Sequence, residues 1–140
     1  MEENSRTLRL EVITPDAFVF NDDVEFVLVR ALDGDLGVMP HHAPLIASLG
    51  IWPLTYTQNG VKKKISVAKG FMEVSDNKVT VVTPAAELPE SIDVKRAEAA
   101  KARAERRLES KDEGVDYDRA ELALKRALLR LDVVKTFSGQ

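Results

Sequence analysis

Proline and glycine are unevenly distributed along this chain, and their distribution constrains the fold more than any other feature. All six prolines and most of the seven glycines lie before Ser91. Because proline breaks a helix interior and glycine weakens it, residues 1–90 are unsuited to long helices. Beyond Ser91 the chain is rich in Ala, Leu, Arg, Lys and Glu, which are strong helix formers. The sequence therefore predicts two modules, residues 1–88 and residues 89–140.

Alternating hydrophobicity and frequent tight turns predict an N-terminal antiparallel β-sandwich or flattened barrel. Residues 7–13 alternate between apolar and polar side chains. In the next segment Val24, Phe26 and Leu28 lie on one face and Val27 and Val29 fill the other, which predicts a strand buried on both sides. The pair Asn59-Gly60 separates two such segments and suits a type I′ turn, whose central positions need positive φ. Residues 75–78 separate two more. Short strands with frequent turns are typical of sandwiches and barrels.

The second module is predicted to be an antiparallel two-helix hairpin, with a break at residues 110–114. Ser91 is predicted to cap the first helix, with Asp93 in its first turn, and Asp116 or Asp118 to cap the second. Each helix has a narrow apolar stripe, in which small alanines of the first helix are expected to face larger leucines of the second. An isolated pair of this kind is marginally stable, so it must pack on the β module or on another protein. The two stripes are Ala97, Ala100, Ala104 and Leu108, and then Ala120, Leu124, Ala127, Leu128, Leu131 and Val134.

Catalysis is not expected, because the chain lacks cysteine, a Gly-x-Ser-x-Gly elbow and a Walker-type phosphate loop. His41 and His42 are the only histidines, and with no cysteine to complete a zinc site they are expected to be polar loop residues. No apolar run approaches the roughly 18 residues that cross a bilayer, and the acidic N-terminus is unlike a secretory signal. We therefore expect no metal, no direct insertion into a membrane, and membrane association only through a partner.

Arginines on the two predicted helices could form an anion site. Arg96 and Arg103 share a face of the first helix, and Arg126 and Arg130 lie one turn apart on the second. If the helices are antiparallel, the four guanidinium groups converge near Asp93. Such a cluster needs an anion or carboxylates to neutralise it, and a planar guanidinium suits phosphate oxygens. The alternative is a solvated charged face, on which the neutralising carboxylates would be Glu98, Glu105 and Asp132.

Two segments carry a resemblance to a known family. Residues 34–45, Gly-Asp-Leu-Gly-Val-Met-Pro-His-His-Ala-Pro-Leu, resemble the pattern Gly-Glu/Asp-Leu-Gly-Ile/Val-x-Pro-x-His-Ala-Pro-Leu of the epsilon subunit of the rotary F-type ATP synthase. Residues 70–81 look like the second hallmark of that family, and the similarity covers essentially the whole chain. The departures are small: Asp35 stands where Glu is commoner, and His41 where Asn or Gly is common.

This resemblance implies a non-catalytic subunit of the central stalk that binds gamma and contacts the c-ring. It would couple proton-driven rotation of the ring to the catalytic head. The complex would lie at the cytoplasmic face of the cell membrane. The residues that the resemblance places at the gamma and c-ring end of the β module are Asp33, Asp35, His41 and His42.

The resemblance also implies a regulatory ATP site. Residues 92–97, Ile-Asp-Val-Lys-Arg-Ala, match the motif Ile/Leu-Asp-x-x-Arg-Ala of bacillus-type epsilon subunits, which bind ATP. By this resemblance two carboxylates accept hydrogen bonds from the adenine amino group or the ribose, four arginines hold the phosphates, and an alanine leaves room for the base. The corresponding residues are Glu87 and Asp93, then Arg96, Arg103, Arg126 and Arg130, and lastly Ala97.

When ATP is scarce, the resemblance implies that the hairpin opens along gamma and reaches the beta and alpha subunits, which blocks ATP hydrolysis. One alternative function is a hairpin accessory factor of a nucleic-acid polymerase, with an acidic tip at residues 112–118. Another is a freestanding nucleotide-binding enzyme. The acidic balance of the chain, −3 at pH 7, argues against direct nucleic-acid binding. The side chains expected to contact beta are Lys125, Arg126, Arg130 and Lys135.

Overall fold

The computed structural model describes residues 6–138, and the acidic N-terminal segment, residues 1–5, lies outside this range. Within it, a β module is followed by two α-helices, as the sequence predicts. The strands are β1 (Leu8–Ile13), β2 (Phe18–Val24), β3 (Phe26–Ala31), β4 (Gly34–Val38), β5 (Leu45–Ile51), β6 (Leu54–Gln58), β7 (Val61–Ser75), β8 (Lys78–Val82) and β9 (Ala86–Glu87). A 3-10 turn (Pro89–Ser91) leads to α1 (Val94–Glu109) and α2 (Tyr117–Ser138).

The strands wrap around one core in the order β2-β1-β8-β7-β5-β3-β4, with β6 bridging β3 and β7 and with β9 on β7. Only the β1–β8 pairing is parallel among the pairings of the described strands. Asn59 and Gly60 have φ values of 54° and 76° in the β6–β7 turn. Asp76 and Asn77 have φ values of 53° and 61° in the β7–β8 turn. The predicted antiparallel sandwich and its two tight turns are therefore confirmed.

The long strand β7 serves both halves of the sandwich and changes direction in its middle. Its first residues pair with β6 and its last with β5 and β8. The change occurs at Lys69 and Gly70, which have φ values of 67° and 140°. A Cβ on Gly70 would lie 2.3 Å from the carbonyl oxygen of Val82, so this close approach of β7 and β8 requires glycine.

Side chains from all main strands form the sandwich core, and Leu10, Val27, Ile65 and Val79 are completely buried in it. The prediction that residues 24–29 form one strand buried on both faces is wrong. Val24 ends β2, and Leu28 on β3 is 37% exposed. The outward face of β3 is therefore partly exposed at Leu28.

The start of α1 differs from the prediction, whereas α2 is capped by one of its two predicted residues. The carboxylate of Asp93 caps α1 by accepting a hydrogen bond from the backbone N–H of Arg96 at 3.1 Å, whereas Ser91 lies in the preceding 3-10 turn. Asp116, and not Asp118, caps α2 by accepting from the backbone N–H of Arg119 at 3.0 Å. The 3-10 turn at Pro89–Ser91 places the start of α1 after Ile92, and this is why Ser91 does not cap the helix.

The hairpin packs through alanines and docks on the sandwich through one side of α2. Because α1 packs mainly against α2, its buried Ala97 and Ala104 identify the inter-helix contact. Ala120 and Ala127 of α2 are also buried and have the same spacing of seven residues. Small side chains are thus buried on both helices, whereas Leu128, which belongs to the predicted stripe of α2, is 45% exposed. The sandwich contact uses Leu129 and Val133, which pack with Ile92 and Ile51.

Candidate functional site

A short ion pair joins the two modules at the start of the helical region. Glu87 lies in β9, which pairs with β7 through Ser66 and is therefore fixed to the sandwich. Its carboxylate Oε1 accepts a hydrogen bond from Nε of Arg130 on α2 at 2.7 Å, and both side chains are about one-third exposed. Two of the predicted site residues are thus in contact, and the Glu87 carboxylate already has a partner without a nucleotide.

The other predicted arginines lie on the same side of the helical hairpin as Arg130. Arg96, Arg103 and Arg126 each directly precede a buried alanine of the inter-helix contact. In two antiparallel helices, residues that precede the contact positions lie on one common side of the pair. Arg130 comes three residues after Ala127 and turns to that side as well. All four arginines therefore occupy positions on one side of the hairpin.

The carboxylates of the alternative interpretation lie elsewhere. Glu98 and Glu105 directly follow the buried alanines and therefore turn to the opposite side of the hairpin. Asp132 pairs with Lys64 of β7 at 2.9 Å. Among residues 6–138, no ion pair joins Arg96, Arg103 or Arg126 to a carboxylate. This arrangement favours an anion site over a self-neutralised charged face.

The remaining two predicted site residues are engaged in the helical structure itself. Asp93 lies on the arginine side, but one of its carboxylate oxygens accepts the α1 capping hydrogen bond. The second oxygen of a carboxylate can still accept from a ligand. Ala97 is 2% exposed within the inter-helix contact, so its side chain does not line an open space in this conformation.

The predicted gamma and c-ring residues do not lie together. Asp33 is exposed in the turn between β3 and β4, and Asp35 pairs with Arg30 at 2.8 Å. His41 lies beyond the other end of β4 in a turn closed by the hydrogen bond from His42 N–H to the Met39 carbonyl oxygen. The five-residue strand β4 separates these two groups.

The His41 turn is nevertheless tightly specified, as its residue types indicate. Pro40 precedes His41, whose φ of 65° is the value that the third position of a type II turn requires. The backbone N–H of His41 donates to the Asn77 side-chain oxygen at 2.8 Å, and the Asn77 amide donates to the Thr7 carbonyl oxygen. This turn is therefore fixed against the β7–β8 turn and the start of β1.

A large apolar groove, of about 1420 Å³, runs between the outer face of the sandwich and α2. Its sheet wall is a row of cross-strand neighbours in which Ile13 pairs with Val82 and Val82 with Phe71. Phe71 and Val82 are 61% and 53% exposed, although solvent exposure of such side chains is unfavourable. The other large apolar side chains that line it are Leu32, Leu49, Ile51, Trp52, Leu122, Leu128 and Leu129.

The rim of the apolar groove is basic. Lys69, Lys125 and Arg30 contribute positive charge, and the Arg30 guanidinium lies 3.8 Å from the centre of the Trp52 ring, a cation–π contact. The groove does not include the arginines of the candidate anion site. Lys125 lines the groove and Arg126 and Arg130 do not, so in this conformation the groove does not bring the predicted beta-binding residues together. Lys135 is exposed farther along α2.

Sequence reasoning missed the apolar groove and the Lys64–Asp132 contact. Phe71 and Val82 are apolar, but other outward residues of the same strands, such as Glu73 and Thr80, are polar, so the local pattern gave only a weak signal. The Lys64–Asp132 pair joins residues far apart in the chain, and no local spacing indicates it. Within the part of the chain that the structure describes, no helix is both long and apolar enough to span a bilayer.

Two family models match the chain. Residues 7–89 match the beta-sandwich domain of the ATP synthase delta/epsilon chain, and residues 90–135 match its long alpha-helix domain. The chain is similar to the ATP synthase epsilon chain of Desulfitobacterium hafniense, with 46% identity over 92% of this chain and 97% of that protein. The ATP synthase epsilon chain of Desulforamulus reducens is 43% identical, over 91% of this chain and 96% of that protein.

The fold is also similar to a solved structure. A chain in the cryo-EM structure of the Euglena gracilis mitochondrial ATP synthase, OSCP/F1/c-ring in rotational state 1, matches with a TM-score of 0.76 and 25% identity. The match covers 94% of this chain and 82% of that chain. Sequence and fold agree over both modules, and they favour the stalk interpretation over a polymerase accessory factor. The chain therefore belongs to the delta/epsilon chain family of ATP synthase.

Proposed function

We propose that this chain, a non-catalytic epsilon subunit of the ATP synthase central stalk, couples rotation of the c-ring to the catalytic head through gamma and regulates ATP hydrolysis with its helical hairpin. The apolar groove is the single observation that carries the proposal. It is bounded by both modules, so a partner that fills it contacts the sandwich and the hairpin at once. Binding of such a partner depends on the position of α2, and this links attachment to regulation.

Gamma is the proposed occupant of the groove. Contiguous exposed apolar surface with a polar rim marks protein–protein interfaces, and the basic rim would suit acidic side chains at the edge of the gamma surface. The fixed His41 turn and the exposed Asp33 turn then remain for contacts with the c-ring and for the remainder of the gamma contact. Protons would drive rotation of the c-ring, and the complex would lie at the cytoplasmic face of the cell membrane. This chain would reach the membrane only through its partners.

Attachment to gamma can be tested by co-purification with coexpressed gamma. The substitution Phe71→Lys places a charge in the apolar groove, while Phe71 is exposed enough for the isolated fold to tolerate it. We expect at least a tenfold loss of affinity. Ile46→Lys is the matched control, because Ile46 is 76% exposed on β5 and does not line the groove. Equal loss in both variants, or no loss in Phe71→Lys, would place gamma elsewhere.

The hairpin is proposed to sense ATP through the arginine side. Arg96, Arg103 and Arg126 would bind phosphate oxygens, and Arg130 would exchange its Glu87 partner for phosphate or hold both. Asp93 and Glu87 would accept hydrogen bonds from the adenine or ribose. Contact of the base with Ala97 would need the helices to separate slightly, because that side chain is buried. ATP at about 100 times its dissociation constant would stabilise the compact form by about 2.7 kcal/mol.

When ATP is scarce, the hairpin would extend along gamma toward the beta and alpha subunits. Arg126 and Arg130 would then contact carboxylates of beta, together with Lys125 and Lys135, and ATP hydrolysis would stop. The same arginines thus bind either phosphate or carboxylates. This competition makes the compact and extended forms respond to ATP in opposite directions.

Calorimetric titration of ATP into the isolated protein tests the sensor role. We expect binding by the wild type and its loss, by tenfold or more, in Arg103→Ala/Arg126→Ala. Lys101→Ala is the matched control, since Lys101 lies three residues after Glu98 and four before Glu105, on the side of α1 opposite the arginines. Absence of binding by the wild type, or an equal effect of the control, would remove the sensor role while leaving attachment to gamma intact.

A further inference from the structure

Two ion pairs flank the contact through which the hairpin docks on the sandwich. The apolar centre of this contact consists of Leu129 and Val133, which are 4% and 0% exposed. Arg130 pairs with Glu87 on one side and Asp132 pairs with Lys64 on the other. Since Arg130 and Asp132 are two residues apart, they project from α2 in nearly opposite directions.

The Lys64–Asp132 pair is well placed to resist movement of α2. Lys64 belongs to β7, the strand shared by both halves of the sandwich, and is held in register opposite Thr55 of β6. Its Nζ lies 2.9 Å from Oδ2 of Asp132, and its side chain is only 26% exposed. A partly buried and strand-anchored lysine loses less side-chain entropy on pairing than a fully exposed one.

The two ion pairs differ in their relation to the candidate ATP site. Arg130 belongs to that site, so a nucleotide would compete for its guanidinium. Neither Lys64 nor Asp132 belongs to it, and Asp132 turns away from the arginine side. The Lys64–Asp132 contact is therefore available whether or not a nucleotide is present.

We propose that the Lys64–Asp132 ion pair is a nucleotide-independent latch that sets how readily the hairpin leaves the sandwich. The inference rests on the proposed function, in which an open hairpin inhibits hydrolysis. The latch lowers the open population in the absence of ATP, and ATP then acts on an equilibrium that the latch has already biased. Because the pair is partly exposed, its effect weakens as ionic strength rises.

The proposed latch can be tested by single-molecule energy transfer between dyes on the sandwich and on the hairpin tip. The chain has no cysteine, so Asp16→Cys and Glu113→Cys give two exposed labelling sites. We expect Lys64→Gln and Asp132→Asn each to raise the ratio of open to compact molecules by about twofold to fivefold. The double variant should do no more than either single change, because the two residues act on one interaction.

Matched controls and a rescue separate the latch from a general charge effect. Lys62→Gln removes a lysine of β7, and Glu121→Gln removes an exposed carboxylate of α2; neither residue has an ion pair in the described part of the chain. Both controls should leave the open population unchanged. The exchanged pair Lys64→Asp/Asp132→Lys should recover part of the wild-type value.

Hydrogen exchange of the α2 amides, measured on the same variants, distinguishes failure of the latch from failure of the proposed function. If no open molecules appear with any variant but α2 exchanges about twofold to fivefold faster in both single variants, the latch stands and hairpin regulation falls. If the wild type opens and neither measurement separates the single variants from the controls, the latch is overturned and regulation stands. Unchanged exchange with no opening overturns both.

Discussion

At the scale of single residues, glycine at position 70 is the clearest case in which backbone geometry dictates the residue. Its φ of 140° lies in a region that side chains disfavour, and a Cβ there would meet the backbone of Val82 and Thr83. Backbone atoms of two paired strands cannot move aside without loss of pairing. Glycine at position 70 therefore allows both the bend of β7 and its close contact with β8.

We expect Gly70→Ala to destabilise the protein by at least about 2 kcal/mol in urea denaturation, from backbone strain and the clash with β8 together. Gly50→Ala is the matched control, because nothing lies within 4 Å of a Cβ at Gly50 and its φ is not positive. That change should stay within about 1 kcal/mol of the wild type. Similar losses in both variants would show that the bend at Gly70 is not what requires glycine.

Tyr56 gives a residue-scale prediction of pH dependence. Its ring packs against Phe20 in the core, with centroids 4.8 Å apart. Burial raises the pKa of the Tyr56 phenol above its ordinary value of 10.0, with smaller contributions from the negative charges of Glu90 and Asp22. The folded state thus keeps a proton that the unfolded state loses, so stability is fully present below pH 10 and falls as the pH rises through the folded-state pKa.

We expect Tyr56→Phe to flatten this alkaline loss of stability. Urea denaturation of the wild type and the variant from about pH 8 to about pH 11 measures it, and the difference between the two curves cancels the titration of groups they share. The curves should diverge above about pH 10, with the wild type falling more steeply. Parallel curves would mean that the Tyr56 phenol ionises equally easily in both states.

Residue-scale prediction from sequence succeeded where the chemistry is local and failed where it depends on packing. Asn59 and Gly60 adopt positive φ readily, so these two residues alone predict the turn that the structure contains. Glu87 and Arg130 were expected near one another and are in contact. By contrast, the resemblance implied that Ala97 leaves space for a base, whereas its burial agrees with the helical spacing that put it in the inter-helix stripe.

At the scale of elements, the start of α1 carries both a structural and a proposed binding role in one side chain. Asp93 caps the helix, and its charge favours the positive end of the helix dipole. Ser91 has an equally suitable side chain, but the Pro89 turn lies between it and the first helical residue. The sequence therefore gives a few candidate capping residues for each helix. Only the backbone conformation before the helix decides which candidate is used.

The two roles of Asp93 can be separated by paired substitutions. Asp93→Ala removes the cap and should destabilise α1 by about 1 kcal/mol, whereas Asp93→Asn keeps a capping oxygen and should cost only a few tenths of that. Amide exchange of residues 94–99 measures the cap, and ATP titration measures the proposed binding role. If Asp93→Asn weakens ATP binding but leaves exchange unchanged, the carboxylate charge serves the ligand. A cap-only role would leave ATP binding by Asp93→Asn as in the wild type.

At the scale of the whole molecule, composition predicted the two modules, whereas the groove between them could not be predicted. Phe71 and Met72 are neighbours of similar hydrophobicity on β7, yet one is 61% exposed and the other fully buried. Which of these two adjacent apolar residues turns outward depends on how the sheet closes and on where α2 lies. Both features follow from contacts between residues far apart in the chain, so the apolar groove could be identified only from the folded structure.

The separation of the two apolar clusters predicts two levels of stability in the free protein. The sandwich core is extensive, while the docking contact of the hairpin consists of Ile92, Leu129 and Val133 with two partly buried neighbours. A small contact held by two ion pairs should open well before the sandwich unfolds. Helical residues rich in Lys and Arg would then be cut by trypsin while the β module stays intact.

We expect Leu129→Ala to speed tryptic cleavage within residues 94–138 at least tenfold, because a buried leucine truncated to alanine typically costs about 2–5 kcal/mol and cleavage follows the open population when opening is fast. The intact sandwich fragment, identified by mass spectrometry, should accumulate at the same time. Leu122→Ala is the matched control, since Leu122 is 45% exposed on the same helix and lies outside the docking contact. Should trypsin instead degrade both modules of Leu129→Ala at one common rate, the chain would be a single cooperative unit, and a hairpin that moves on an intact sandwich would be ruled out.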